Sequence, residues 1–206
     1  YNDISGAMKG SSRRTFTGSV ILSYTYKNLL FRNQTNVALN NSSESKYGDF
    51  SDYAVMEPYW RIHDDNGKLI KEYSHNGLLF YNPLYDAQLN TIDTSEYTEI
   101  INNFSIDWNI TKHLTARAQL GLSKNLGRTD YFLPAEHSTF SSSTYSTTDG
   151  YFRKGQYDYG NSTSVSIDGN ATLSYSNTFA EKHQLYAGFN YSIYDYSSEN
   201  LMFKAE

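Results

Sequence analysis

Side chains along this chain alternate between apolar and polar with period two, in segments joined by connections that are by turns short and long. From Thr15 to Lys27 the even positions read Phe16, Gly18, Val20, Leu22, Tyr24 and Tyr26, while the odd ones are mostly Thr, Ser and Lys. Successive side chains of a strand point to opposite faces, so one face of this segment is oily and the other polar. After a tight connection near Lys27 and Asn28, Leu29, Phe31, Val37 and Leu39 continue the pattern against Arg32, Gln34, Asn36 and Asn40.

The pattern recurs twice. Ile100, Asn102, Phe104, Ile106, Trp108 and Ile110 oppose Glu99, Asn103, Ser105, Asp107 and Asn109, and a turn at 111–113 leads to Leu114, Ala116, Ala118, Leu120, Leu122 and Leu126. Val165, Ile167, Gly169, Ala171, Leu173 and Tyr175 then precede a short connection at 178–182, and Leu185, Ala187, Phe189, Tyr191 and Ile193 follow it. Six strands in three hairpins are predicted, with long polar connections over roughly 41–97 and 128–160. Connections that long are far above the usual 4 to 6 residues.

Short turns at one end and long loops at the other match a transmembrane β-barrel wall, whose periplasmic turns are short and extracellular loops long. Strands ending near 27, 110 and 176 are expected to descend toward the periplasm and the following ones to ascend. Tyr24, Trp108 and Tyr175 lie on the apolar rows just before the short turns, where interfacial aromatics would sit. The fold expected is all-β, an antiparallel up-and-down transmembrane barrel segment of about six strands with long extracellular loops. A soluble sandwich would instead pack the same aromatics in its core.

Composition fits both readings. Tyr, Phe and Trp number 20, 11 and 2, and this aromatic load suits pleated strands. The mean hydropathy of −0.63 has a soluble look. A barrel wall that alternates lipid-facing and lumen-facing residues averages to the same kind of value. No run of about 18 apolar residues exists, which excludes a membrane-spanning helix. The absence of Cys removes disulfides, thiolate metal sites and a cysteine nucleophile, and the net charge of −5 gives no basic footprint for nucleic acid. The N-terminus, Tyr1, Asn2, Asp3, lacks the basic and apolar regions of a secretory signal, so an exported protein would begin upstream of it.

No cofactor, metal site or catalytic residue is predicted. His63, His75, His113, His137 and His183 lack metal-ligand spacing and read as exposed polar residues. Asp64, Asp65, Asn66 and Gly67 resemble a calcium loop only in part, since Ile62 stands where its first acidic ligand belongs. They read instead as the turn of a small hairpin joining 59–62 to 68–71. Neither nucleotide-binding nor hydrolase motifs occur. Glu57, Asp64, Asp65, Asp86, Asp93, Glu96 and Glu99 read as a solvated loop surface, the Asn-x-Ser/Thr triplets at Asn103, Asn109, Asn170 and Asn190 as chance products, and the Ser/Thr-rich stretch 138–148 as mobile.

The loop residues carry more specific information. YGDFSDYAVMEPYWRIHDDNGKLIKEY (Tyr47 to Tyr73), YNPLYDAQLN (Tyr81 to Asn90) and NNFSIDWNITKHLTARAQLGLS (Asn102 to Ser123) resemble the SusC/RagA family of TonB-dependent outer-membrane transporters, over about residues 14 to 196. Pro58 to Arg61, Asp64 to Gly67, Asn82 to Tyr85 and Asn102 to Trp108 stand where that family has its P-Y-x-R element, its D-x-N-G turn, its N-P-L-Y element and its N-N-F-S-x-x-W strand. The resemblance implies that residues 1–206 are part of a single barrel domain of about 22 strands, with a signal sequence, a TonB-contacting segment and a plug outside this chain.

It also implies import of an oligosaccharide or peptide across the bacterial outer membrane, without catalysis. The implied partners are a SusD-like surface lipoprotein, the TonB complex acting through the plug, and outer-membrane lipid. Tyr59, Trp60, Arg61, Asn82, Tyr85 and Asp86 are the candidate substrate or lid contacts, since sugars stack on aromatic rings and hydrogen-bond to amides and carboxylates. Stabilisation of the loop accounts for them at least as well. The competing readings are a soluble or surface-attached β-sheet module that binds glycan without transporting it and, within the membrane class, a passive porin. Without the rest of the barrel, the segment is expected to self-associate through its open edges and oily face.

Overall fold

A computed structural model describes residues 1–206. Seven strands form one antiparallel sheet: β1 (Asn2–Ser5), β2 (Ser12–Tyr26), β3 (Leu29–Ser43), β6 (Ile92–Asn109), β7 (Leu114–Leu133), β8 (Gln156–Phe179) and β9 (His183–Ala205), in that spatial order. Every neighbour in the sheet is therefore also the next sheet strand in sequence. The six expected strands are all present, and the short β1, pairing Asn2 to Thr15 and Ser5 to Ser12, adds a seventh. The three short turns fall at 27–28, 110–113 and 180–182, with Lys27, Ala180 and Glu181 at positive φ. No helix is long and apolar enough to cross a membrane, which says nothing about crossing by strands.

Directly opposed residues of an antiparallel ladder project to the same face. One such row runs Tyr26, Leu29, Trp108, Ala116, Leu173, Phe189, and another runs Leu22, Asn33, Phe104, Leu120, Gly169, Ile193. The apolar sets of all six long strands thus share one face, and a slip of one residue between any two would split them. On the other face stand Ser105, Gln119, Asn170 and Ser192 in one row and Asp107, opposed to Arg117, in the next. The side chains of Asp107 and Arg117 pair directly.

Polar residues interrupt the apolar face at a few points: Lys124 stands between Ile100 and Val165, Asp195 opposes Ile167, and one cluster joins β3 to β6. Asn33 and Thr35 of β3 and Asn102 of β6 are far apart in sequence, but the register sets Thr35 opposite Asn102. Asn33 and Asn102 exchange reciprocal amide hydrogen bonds of 3.1 Å, and Asn102 Nδ2 also donates to Thr35 Oγ1 at 2.7 Å. The cluster satisfies much of its own hydrogen-bonding capacity, which limits the cost of placing it among apolar neighbours.

Nothing packs on the apolar face. Only six of 206 residues are buried, while Leu22, Phe189 and Tyr24 are 65%, 66% and 63% exposed. The accessible surface is 14869 Å². A compact monomer of 23.6 kDa would expose roughly 9,800 Å². A sandwich, the soluble alternative, would bury these rows against a second sheet, and the chain has none of matching size. Its second sheet is a two-stranded ribbon, β4 (Glu72–His75) and β5 (Leu78–Tyr81).

Three expectations need correction. The strands outrun the alternating segments toward the long loops, so the connections shrink to 44–91 and 134–155. There the formerly apolar face carries Glu96 opposite Arg128, an Arg128 to Asp130 ion pair of 2.9 Å, and Tyr157 donating to Asp130 at 2.8 Å. Charged and polar side chains thus enter that face among Ile92, Phe132 and Tyr157, so period two fades. The hairpin turning at Asn66 and Gly67 is reduced to a bridge between His63 and Leu69, while the regular hairpin lies just beyond and turns at Asn76 and Gly77, both at positive φ. That pair of conformations is the favoured two-residue hairpin turn. Finally, the stretch 138–148 is folded into short 3-10 turns at Ser138–Ser141 and Ser143–Ser146 and the start of α3 (Thr148–Tyr151), with Phe140 only 3% exposed.

Gly169 offers a test of the β8 to β9 register. A Cβ built there would lie 2.6 Å from Ile193 Cγ2, on a β-branched residue with little freedom to yield. Gly169→Ala is expected to destabilise the folded protein by about 1–3 kcal/mol in urea unfolding, and Ile193→Ala in the same chain to recover most of the loss. Equal losses with and without Ile193 would show that the two strands pair otherwise.

Candidate functional site

Both long connections leave the same end of the sheet, and their residues fold together there. The first contains α1 (Phe50–Ala54), the β4/β5 ribbon and α2 (Pro83–Asp86). Its centre is Asn82, the only fully buried large side chain of the molecule. Asn82 Nδ2 donates to the Ile70 carbonyl at 2.7 Å, Oδ1 accepts the Leu84 N–H at 3.1 Å, and the backbone N–H donates to the Lys71 carbonyl at 2.9 Å. One side chain thus caps α2, with Pro83 in its first turn, and ties it to the segment entering the ribbon.

Trp60 is held by stacking, 5.2 Å from the Tyr73 ring and 4.8 Å from Phe80. Tyr73 donates its hydroxyl to the Arg61 carbonyl, and burial raises its pKa above the ordinary phenol value. The Arg61 side chain points outward and pairs with Asp65 at 2.6 Å. Tyr59 is 94% exposed. Lys71 lies 6.0 Å from the Tyr85 ring.

Asp86 faces the second connection. Its carboxylate accepts the Ser138 N–H at 2.9 Å and also the Ser138 hydroxyl, across 52 residues of sequence. The ring of His137 approaches it at 3.8 Å, and Thr139 N–H donates to His137 Nδ1 at 3.2 Å. That acceptor role leaves the proton of the neutral ring on Nε2, toward Asp86. Their side chains are 17% and 14% exposed, so neither is the solvated surface group expected of it. Burial lowers the His137 pKa below its ordinary value; Asp86 opposes that shift and Lys71 adds to it. The Tyr53 hydroxyl on α1 is buried without a partner, and burial, then Tyr47, Asp52 and Asp86, raise its pKa.

These elements enclose an open cleft of about 420 Å³, lined by Tyr47, Met56, Trp60, Phe80, Asp86 and His137 among others. Trp60 and Asp86, of the six candidate contacts, line it. Asn82 is internal, Tyr59 and Arg61 face outward, and Tyr85 flanks Lys71. His137 and Ser138 reach the cleft only through the contact between the two connections, and Tyr47 and Met56, which belong to the first connection, carry no sequence signal of a site.

Tyr24, Trp108 and Tyr175 all stand on the apolar face near the short-turn end. Tyr24 stacks on Phe31 at 6.3 Å, Trp108 opposes Leu29 and Ala116, and Tyr175 opposes Leu114 and Ala187 with the His113 ring 6.4 Å away.

No family model and no curated protein matches the chain. Among solved structures it is similar to a chain of the RagAB peptide importer in its closed-closed state, with a TM-score of 0.68 and 19% identity over 95% of this chain and 22% of that one. A structure of the RagAB peptide transporter gives the same values. The importer in its open-open state gives a TM-score of 0.63 and 21% identity over 94% of this chain and 21% of that one. This chain spans about a fifth of the length of the chains it matches, and at such identities the likeness establishes the fold.

If Asn82 organises the first connection, Asn82→Ala leaves buried backbone groups without partners at a cost of about 1–3 kcal/mol. Limited proteolysis between residues 44 and 91 should then accelerate by at least tenfold, whereas Tyr59→Ala should leave the rate unchanged. Equal rates for the two variants would contradict this account of the loop.

Proposed function

We propose that this chain is part of the barrel wall of a TonB-dependent importer of the SusC/RagA type in the bacterial outer membrane, moving oligosaccharide or peptide without chemically converting it. The observation that carries the reading is the single-layer sheet whose six long strands hold their apolar residues on one uncovered face in continuous register. Hydrocarbon is the medium that such a face requires. On β8 the apolar set runs from Val165 to Tyr175, eleven residues, matching the 9 to 11 of a tilted crossing.

Tyr24, Trp108 and Tyr175 mark the periplasmic interface, and the row of Glu96 and Arg128 lies beyond the outer boundary. The long connections then stand outside the cell, where a SusD-like lipoprotein would cover them and deliver substrate. The polar face lines the interior, closed by a plug on which TonB acts. The similarity to RagAB structures supports this reading, as does the independent likeness of the loop residues to the same family. A soluble glycan-binding module has no use for so large an uncovered apolar face.

Two experiments test the reading. In the complete protein, Leu120→Arg on the apolar face should cost about 2–4 kcal/mol of folding in lipid, and Gln119→Arg next to it should cost little. Uptake of labelled peptide or oligosaccharide by cells expressing the complete protein should vanish when TonB is deleted. Undiminished uptake would make it a passive pore, and recovery of the protein in the soluble fraction would end the membrane reading altogether.

A further inference from the structure

The two exterior connections meet through one small group of side chains. We propose that Asp86, Ser138 and His137 form a proton-operated latch that joins these connections at neutral pH and, as the medium acidifies, lets them part and opens the cleft between them. Ser138 offers Asp86 both its backbone N–H, at 2.9 Å, and its hydroxyl, an arrangement that fixes orientation as well as distance. Ser138 and Phe140 are buried at 7% and 3% exposure, and Phe140 packs edge-on against Tyr145 at 5.1 Å. The second connection therefore presents a folded unit to Asp86. His137 and Ser138 also form one wall of the cleft, so parting the connections removes that wall.

His137 supplies the proton sensitivity. The groups facing it are Asp86 on α2 and Lys71 on the segment entering β4, with Thr139 of its own turn on Nδ1 and the Tyr53 hydroxyl of α1 within electrostatic reach of Asp86. Burial and the Lys71 cation disfavour the imidazolium more than Asp86 favours it. In the parted state the ring is solvated and returns to an ordinary value of about 6.5. The parted state therefore binds protons more readily, and joining is fully favoured above about 6.5 and weakens as pH falls through that value toward the depressed one. Exposure of the latch to the surrounding medium rests on the importer reading; its geometry does not.

Distances between the connections test the latch without any need for transport. In the complete protein, freed of any cysteine, spin labels at Asp65→Cys and Ser143→Cys should give a single narrow distance at pH 8. On titration to pH 5 it should convert to a broad distribution, with a midpoint below about 6.5. His137→Gln should stay narrow at both pH values, and Asp86→Ala should be broad at both. Ser138→Ala, which keeps the backbone hydrogen bond, should shift the midpoint upward, and it serves if Asp86→Ala fails to fold as judged by barrel mobility on unheated gels. A distribution that does not change between pH 8 and pH 5, or an acid transition that survives unaltered in His137→Gln, overturns the proposal. Because the readout is a distance, a failed latch leaves the importer reading intact, and lost uptake leaves the latch standing.

Discussion

Opposed residues on neighbouring antiparallel strands must share a face, and the remaining organisation of this molecule follows from that geometric coupling. Six strands each carry their own period-two pattern, and the ladders hold all six in phase from Tyr26 through Leu29, Trp108, Ala116 and Leu173 to Phe189. Cohesion comes from the backbone: 104 of 129 backbone hydrogen bonds lie within strands and helices, whereas buried residues number only six. A sheet assembled this way needs its surroundings to finish the work that a core does elsewhere.

The same coupling explains the polar cluster on the apolar face. Asn33, Thr35 and Asn102 look like separate lapses in two distant stretches of sequence, yet the register makes them neighbours that satisfy one another. Polar groups among apolar ones are tolerable when their hydrogen bonds are made locally. Toward the long connections the constraint lapses, because Arg128, Asp130 and Tyr157 turn the outer face polar.

That lapse also marks how far the fold was legible in sequence. Phe16 to Tyr26, Ile100 to Trp108 and Val165 to Tyr175 announce their strands because one side chain in two must avoid water. The first residues of β8, Gln156 to Ser164, carry no such signal, since both of their faces are polar. β1 is four residues long and too short to show a period. Asn76 and Gly77 are a stronger turn signal than Asn66 and Gly67, for the flanking Tyr73, Leu78 and Phe80 supply strand formers on both sides. The site was legible only in part. Asn82 and Asp86 stand out by residue type, but the burial of one and the reach of the other to Ser138 are tertiary facts. Phe140 and Tyr145, isolated in a Ser/Thr-rich stretch, give no period to read.

Whether the apolar rows meet hydrocarbon is the claim on which the functional account depends. The chain has no native Cys, and once the complete protein is freed of any cysteine elsewhere, single cysteines can be placed from Ser164 to Ser176 along β8 within intact outer membranes. A lipid-soluble and a water-soluble thiol reagent then report the medium at each position. The account predicts strict alternation: odd positions from 165 to 175 react with the lipid-soluble reagent and are shielded from the water-soluble one, and even positions do the reverse. Uniform labelling by the water-soluble reagent along the whole stretch would contradict it.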